Sequence, residues 1–315
     1  MKGLPLRLPL PALAAVAILL AGCATEKAPP SPPTASLIAE PHDAPVAQIL
    51  AVHGFNDHRT AFSGLAAHAA DHGIRFEAYD QQGFGANDNR GLWPGLDLLT
   101  RDLARRLKEA RAARPDIPLY LLGESMGGAV GVVTLAGHPD LPVDGLILSA
   151  PAVWGGDAMN PFYRLALWTV ARIAPGMKLT GEGLGKQASD NIAMLRALGA
   201  DPLFIRETRV DAIEGLVGLM RQAREDGPRL HLPRLVLAGA RDEIVPPEAL
   251  ASFIATLDPA DCISVTYEDG WHMLLRDLQR RSVWKDITDW IGQKRHLDPR
   301  PDVHACGDAE PVAGS

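Results

Sequence analysis

The stretch Leu119-Tyr-Leu-Leu-Gly-Glu-Ser125-Met-Gly-Gly-Ala-Val130 decides the fold of this chain. Its apolar start predicts a buried strand, and the small residues after Ser125 can begin a helix. Glycines stand two residues before and two residues after the serine, where they leave room for a tight turn and for close packing of the helix. The same letters could also form an ordinary glycine-rich turn, so the rest of the chain has to decide between the two interpretations.

Apolar runs and amphipathic segments alternate along the chain on both sides of this stretch. Residues 46–52, 74–79, 143–149, 234–238 and 263–267 are short, largely apolar runs, which is typical of strands in a parallel sheet. Residues 97–114 carry leucines at helical spacing with charges between them, and Pro115 ends that helix. This alternation predicts an α/β fold, a mostly parallel sheet with helices on both faces.

The pattern changes between residues 154 and 230. Aromatic residues cluster at the start of this segment, glycines recur, and helical periodicity returns over residues 211–224. We therefore predict a helical cap at 154–230, inserted between two parts of the core at 38–153 and 231–295. Residues 296–315 are rich in proline, glycine and polar residues, and we expect them to form a flexible tail.

The N-terminus has the pattern of a targeting segment. A positive start is followed by an apolar run over residues 8–20 and by Leu20-Ala-Gly-Cys23, which predicts a signal peptide at 1–22. Leu-Ala-Gly-Cys resembles a bacterial lipobox, and that resemblance implies cleavage before Cys23 and a lipid anchor on its thiol. The alternative is a plain secretory signal with an incidental cysteine.

Residues 23–37 follow as a proline-rich tether between the predicted anchor and the domain. Ala24 is not the aspartate typical of inner-membrane retention. The lipobox resemblance therefore favours the bacterial cell envelope, on the periplasmic side of the outer membrane.

Composition excludes some classes of function. The chain has 31 basic and 38 acidic residues, a net charge of −7, and it lacks a basic block, which argues against nucleic-acid binding. Besides Cys23 the cysteines are Cys262 and Cys306; they could pair in an oxidising compartment, but the sequence leaves this open. Their spacing offers no zinc site, and we expect neither a metal nor an organic cofactor.

Ser125 has candidate partners at the ends of two later strands. A serine hydroxyl needs a general base, and that base needs an orienting acid. The run at 234–238 leads to Asp242, with Glu243 as a competitor, and the run at 263–267 leads to Asp269 and His272. We predict His272 as the base and Asp242 as the acid, with Glu243 and Asp269 as the alternatives.

A developing oxyanion needs two hydrogen-bond donors. The elbow supplies the backbone N–H of Met126, and the loop after the first core strand offers that of Phe55. His53 is expected to buttress this loop, while His58 is expected at the surface or in a pocket wall. Ser149 has no base at a useful place after it and is expected to be structural.

These motifs together resemble the serine α/β-hydrolases, and among them the monoacylglycerol lipase and lysophospholipase group. The resemblance rests on His53-Gly-Phe55, Gly123-Glu-Ser-Met-Gly-Gly128, the turn around Asp242 and Gly270-Trp-His272, and it covers residues 38–295. The family often has Asp-x-Arg-Gly-x-Gly-x-Ser after its second core strand. Residues 80–87, Asp-Gln-Gln-Gly-Phe-Gly-Ala-Asn, lack that arginine and that serine, which bears on the fine substrate assignment and not on the triad.

The resemblance implies a serine hydrolase that cleaves a carboxylic ester through an acyl-Ser125 intermediate. A small-molecule lipid ester such as monoacylglycerol or lysophospholipid is the expected substrate, because an aromatic-rich cap suits an acyl chain. The alternative for these aromatic residues is that they are plain core between the cap and the sheet. Two alternatives remain open: a peptidase of the serine aminopeptidase type, and a catalytically silent lipoprotein that binds a lipid or an envelope partner. The sequence does not specify an oligomeric state.

Overall fold

A computed structural model describes residues 35–154, 161–181, 185–293 and 295–307 of the chain. The predicted signal peptide, Cys23 and the tether as far as residue 34 lie outside the described residues, as do residues 308–315 at the C-terminus. Of the helices that the structure describes, none combines the length and the apolar composition needed to cross a membrane.

The described strands form an eight-stranded sheet and a separate two-stranded sheet. The large sheet has the order β1-β3-β2-β4-β5-β8-β9-β10, and the small sheet pairs β6 with β7. The strands are β1 (Ser36–Ala39), β2 (Ala47–Val52), β3 (Ile74–Tyr79), β4 (Leu119–Glu124), β5 (Gly145–Ser149), β6 (Lys178–Thr180), β7 (Glu207–Arg209), β8 (Arg234–Gly239), β9 (Cys262–Tyr267) and β10 (Val303–Ala305).

The six inner strands of the large sheet are parallel, and β1 and β10 are antiparallel at its two edges. The predicted α/β class with a mostly parallel sheet is therefore confirmed. The described α-helices are α1 (Ser63–Asp71), α2 (Leu96–Ala113), α3 (Met126–Gly137), α4 (Pro161–Ile173), α5 (Ile192–Ala200), α6 (Val210–Asp226), α7 (Pro247–Ile254) and α8 (Arg280–Gly292).

Burial explains why the inner strands read as apolar runs. All residues of β2, β4, β5 and β8 are buried, because each strand is covered on both faces. One apolar cluster includes residues of α2, α3 and α7, and the other includes residues of α1 and α8. Because parallel strands all end at the same edge, the loops after β2, β4, β8 and β9 meet there.

The segment predicted as a helical cap contains α4, α5 and α6, and it also contains the two-stranded sheet of β6 and β7. Helix α6 packs on α3, the helix that follows Ser125, and its Leu219, Met220 and Ala223 are buried in the core. Short strands of three residues carry almost no periodicity, so the sequence did not predict them.

The prediction of a flexible tail from residue 296 is wrong for its first part. Residues Val303–Ala305 form β10, which extends the sheet antiparallel to β9, and Cys306 forms a disulfide with Cys262. The backbone N–H of Cys306 also donates to the carbonyl of Cys262 at 3.0 Å. Polar composition predicted a loose chain here, but long-range pairing and a covalent bond override that local signal. At the other end, β1 begins at Ser36, inside the predicted tether.

Candidate active site

The turn between β4 and α3 holds Ser125 in a strained conformation. Its φ is 51° and its ψ is −115°, so a non-glycine residue has left-handed φ. A Cβ on Gly127 would lie 2.0 Å from the carbonyl oxygen of Val52, and one on Gly123 would lie 2.5 Å from the backbone of Gly128. Both glycines are therefore required by close backbone approach, as expected for a nucleophile elbow.

The structure brings the predicted serine, histidine and aspartate together. His272 Nε2 lies 3.0 Å from Ser125 Oγ, and His272 Nδ1 lies 2.8 Å from Asp242 Oδ2. His272 and Asp242 are buried, while Ser125 is half-buried. In the neutral tautomer with the proton on Nδ1, the imidazole donates to Asp242 and leaves Nε2 free to accept the serine proton.

Backbone donors hold the carboxylate of Asp242 and separate it from its competitors. Its Oδ1 accepts from the N–H groups of Ile244 at 2.8 Å and Val245 at 2.9 Å, which leaves Oδ2 for the imidazole. Glu243 instead accepts from the backbone of residue 187, and Asp269 pairs with Arg241 at an exposed position. Among the described residues, neither competitor forms a hydrogen bond or an ion pair with His272.

The two predicted oxyanion donors, the backbone N–H groups of Phe55 and Met126, belong to the two segments that meet at Ser125. Met126 is the first residue of α3, so its N–H has no acceptor within the helix. Phe55 lies in the loop after β2, next to Gly54, whose Cβ would stand only 3.5 Å from that of Ser125. Within the described ranges neither N–H has a hydrogen-bond acceptor, so both are available to an oxyanion.

The side chain of His53 connects this loop to the loop that follows β3. Its Nδ1 donates to the carbonyl of Gly54 at 2.8 Å, and its Nε2 accepts from the N–H of Gln81 at 3.0 Å. Complete burial lowers the pKa of His53, which favours the neutral ring that this pair of bonds requires. The side chain of Gln81 in turn donates to the carbonyl of His53 at 2.8 Å. His58, expected at the surface or in a pocket wall, is buried instead and contacts Asp201 at 3.2 Å.

Hydrogen bonds fix the loop at residues 80–87, although its sequence departs from the family motif. The side chain of Asn87 donates to the backbone carbonyls of Asp80, Gln81 and Phe84. The carboxylate of Asp80 accepts from the N–H groups of Arg59 at 2.8 Å and Ala86 at 2.9 Å, and it forms an ion pair with the guanidinium of Arg59.

A cavity of about 270 Å³ opens at Ser125. Most of its lining is apolar and comes from both core and cap: Phe55, Ala152, Trp154, Ala188, Phe204, Leu216, Met220, Ile244, Val245 and Met273. Such a lining suits an apolar portion of a small molecule. Across the parts of the chain that the structure describes, no group of His, Cys, Asp and Glu side chains could hold a metal ion.

Three charged residues also line this cavity, and sequence reasoning missed them. The guanidinium of Arg276 lies 2.6 Å from Asp57 Oδ2 and 3.3 Å from Glu124 Oε2. Burial raises the pKa of Glu124, and the charge of Arg276 opposes that rise. Glu124 directly precedes Ser125, and Arg276 follows His272 by four residues. The ion pairs of Arg276 with Asp57 and Glu124 join segments that are far apart in sequence, so the sequence alone does not indicate them.

Comparison with known proteins agrees with this geometry. A family model described as serine aminopeptidase, S33, matches residues 43–279. A monoglyceride lipase of Mus musculus is 25% identical over 260 residues, covering 81% of this chain and 85% of the mouse protein.

Two solved structures have the same fold. The monoacylglycerol lipase of Paleococcus ferrophilus superposes with a TM-score of 0.71 at 20% identity, covering 83% of this chain and 99% of that one. A soluble variant of the Saccharomyces cerevisiae monoglyceride lipase, in complex with a substrate analog, gives a TM-score of 0.71 at 19% identity, covering 83% of this chain and 92% of that one. With a family model spanning most of its length, this chain belongs to the serine aminopeptidase S33 family of α/β-hydrolases.

Proposed function

We propose that this protein is a serine hydrolase that cleaves carboxylic esters of lipids, such as monoacylglycerol or lysophospholipid. The observation that carries the proposal is the hydrogen-bonded chain from Ser125 through His272 to Asp242 at the mouth of an apolar cavity. The similarity of this protein to monoglyceride lipases supports the choice of lipid esters as the substrate class.

Acylation begins when Ser125 Oγ attacks the ester carbonyl carbon. His272 Nε2, 3.0 Å away, takes the hydroxyl proton, and Asp242 stabilises the imidazolium through Nδ1–H. The carbonyl oxygen becomes an oxyanion, which accepts hydrogen bonds from the N–H groups of Phe55 and Met126. The tetrahedral intermediate then breaks its bond to the alcohol oxygen, which leaves with the proton from His272.

Deacylation repeats these steps with water. His272 removes a proton from a water molecule, the resulting hydroxide attacks the acyl carbon, and the bond to Ser125 Oγ breaks as the serine regains its proton. The products are the alcohol and the carboxylic acid, and the enzyme is unchanged. The residues of this chain supply every proton transfer in the cycle.

The cavity favours an acyl chain as the apolar part of the substrate. Each methylene group buried against its walls contributes about 0.8 kcal/mol, provided that water is excluded. The walls contributed by Trp154, Phe204, Leu216 and Met220 are carbon-rich side chains from the cap segment. Longer acyl chains should therefore bind more tightly until the cavity is filled.

Hydrolysis of p-nitrophenyl esters of increasing acyl length tests the proposal. Ser125→Ala should lower kcat by roughly 10³-fold or more, because the residual rate comes only from binding and the oxyanion donors. Ser149→Ala is the matched control, since Ser149 is buried at the end of the neighbouring strand and its hydroxyl has no partner in the described chain. Hydrolysis of aminoacyl amides in preference to every ester would instead favour the peptidase, and a Ser125 that a fluorophosphonate fails to label would favour the silent lipoprotein.

We also propose that the mature protein is anchored in the bacterial cell envelope through lipid on Cys23, facing the periplasm from the outer membrane. The lipobox-like Leu20-Ala-Gly-Cys23 supports an anchor, and the disulfide between Cys262 and Cys306 supports an oxidising compartment. Cys23→Ser should abolish labelling with a palmitate analogue and release the protein in soluble form. Labelling that persists in the variant would contradict the anchor.

A further inference from the structure

The loop that carries His272 is closed by one buried carboxylate. Asp277 is fully buried, and its Oδ2 accepts from the backbone N–H of Trp271 at 2.8 Å. The backbone N–H of Asp277 donates to the carbonyl of Met273 at 3.0 Å. Asp277 thus joins the residue before His272 to the end of the loop.

The same carboxylate also reaches the cap segment. Its Oδ1 accepts from the hydroxyl of the buried Ser189 at 2.5 Å. Neighbouring bonds join the same two segments, because Met273 N–H donates to the carbonyl of Ala188 at 2.9 Å. The side chain of Asn191 donates to the carbonyl of Arg276 at 2.9 Å. These three hydrogen bonds therefore connect the loop that carries His272 to the segment at residues 188–191.

A negative charge on the carboxylate of Asp277 is unfavourable, because the side chain is buried. Burial raises the pKa of Asp277 to about 6, the nearby carboxylates of Asp190 and Glu124 add to the rise, and the bonds from Ser189 and Trp271 oppose it. Arg276 lies beside it in the loop, and Arg280 of α8 donates only to its backbone carbonyl. Among the described residues no cation pairs with its carboxylate, so stability alone does not explain an acid at this place.

We propose that Asp277 is a positioning residue for ester hydrolysis, whose two hydrogen bonds hold His272 in line with Ser125 and connect that alignment to the cap segment at Ser189. The proposal rests on the proposed function. It assigns no contact between Asp277 and the substrate, because Asp277 does not line the cavity.

Two substitutions at Asp277 separate positioning from charge. Asp277→Ala removes both acceptors, and kcat should fall roughly 10- to 100-fold with KM nearly unchanged, because a displacement of about 1 Å can cost about 100-fold. Asp277→Asn keeps an oxygen for the N–H of Trp271 and offers its amide to the Ser189 hydroxyl, so kcat should return to within about threefold of wild type. Asp226→Ala is the control, since it removes a buried carboxylate at the far end of α6.

A kcat for Asp277→Ala within about threefold of wild type would overturn the proposal, and so would an Asn variant as slow as the Ala variant. If Asp277→Ala does not fold, Ser189→Ala carries the test through amide hydrogen exchange. Exchange in the loop at residues 270–278 should then rise about tenfold, and unchanged exchange would contradict the link. A wild type inactive on all esters would refute the proposed function. The exchange measurement would still test whether the hydrogen bond between Ser189 and Asp277 holds the loop that carries His272.

Discussion

Removing the disulfide between Cys262 and Cys306 should lower stability without slowing ester hydrolysis. The two cysteines are 44 residues apart in sequence, and both are buried. For a closed loop of that size, the loss of chain entropy in the unfolded state contributes about 4 kcal/mol at 25 °C. In a domain of this length that corresponds to a fall of roughly 8 °C in Tm.

The position of the bond explains why activity should survive. Cys262 opens β9, whereas the loop with His272 follows the other end of that strand. A strand rises about 3.3 Å per residue, so six residues place the disulfide about 20 Å from the loop. Nothing between the two ends needs to move when the bond is reduced and β10 remains paired with β9.

Urea unfolding of the oxidised and the reduced wild type measures the effect. The double variant Cys262→Ala with Cys306→Ala is the control, because its midpoint should not respond to reductant. Equal midpoints for oxidised and reduced wild type would refute the entropic reasoning. A reduced protein that is folded but slow would show instead that β10 and the active site are coupled.

Three further predictions concern the site itself. Gly127→Ala should abolish activity or folding, because the new Cβ would lie 2.0 Å from a backbone carbonyl of β2; circular dichroism with fluorophosphonate labelling checks this, and a labelled, folded variant would contradict it. Arg276→Met should lower the free energy of unfolding in urea by about 3 kcal/mol, because Asp57 and Glu124 lose their cation. Adding Asp57→Asn should restore part of the loss, and no recovery would argue against charge pairing. The free energy of unfolding of wild type relative to Asp277→Asn should rise by about 2 kcal/mol between pH 7.5 and pH 4, because the folded-state pKa of about 6 lies above the unfolded value and protonation therefore stabilises the fold as pH falls; a difference that does not change with pH would refute it.

The sequence allowed the core and the triad to be predicted because their signals are local. A parallel strand buried on both faces is largely apolar, and an elbow must have glycine where backbones touch, as at Gly123 and Gly127. Asp242 and His272 follow strand ends directly, so identifying the strands also located the side chains. The sequence already favours Asp242 over Glu243, and the structure adds the physical reason, because two backbone N–H groups bind Oδ1 of Asp242.

What the sequence did not predict depends on contacts between distant segments. Strand β10 has only three residues and a polar neighbourhood, so its pairing with β9 leaves no periodic signal. The ion pair between Asp57 and Arg276 joins residues that are 219 positions apart, and the hydrogen bond between Ser189 and Asp277 joins residues that are 88 positions apart. Each residue alone looks like an ordinary surface charge or loop serine, and only its burial distinguishes it.

The loop at residues 80–87 shows why a departure from a family motif need not change the chemistry. Its task in this structure is to hold His53, and through it the backbone N–H of Phe55, and this is done by Gln81 from its main chain and side chain. Asn87 then fixes the loop through three backbone carbonyls. Hydrogen bonds from Gln81 and Asn87 to backbone carbonyls therefore hold this loop without the arginine and the serine of the family motif. We therefore expect the departure to alter how the loop is supported and to leave the oxyanion donor in place.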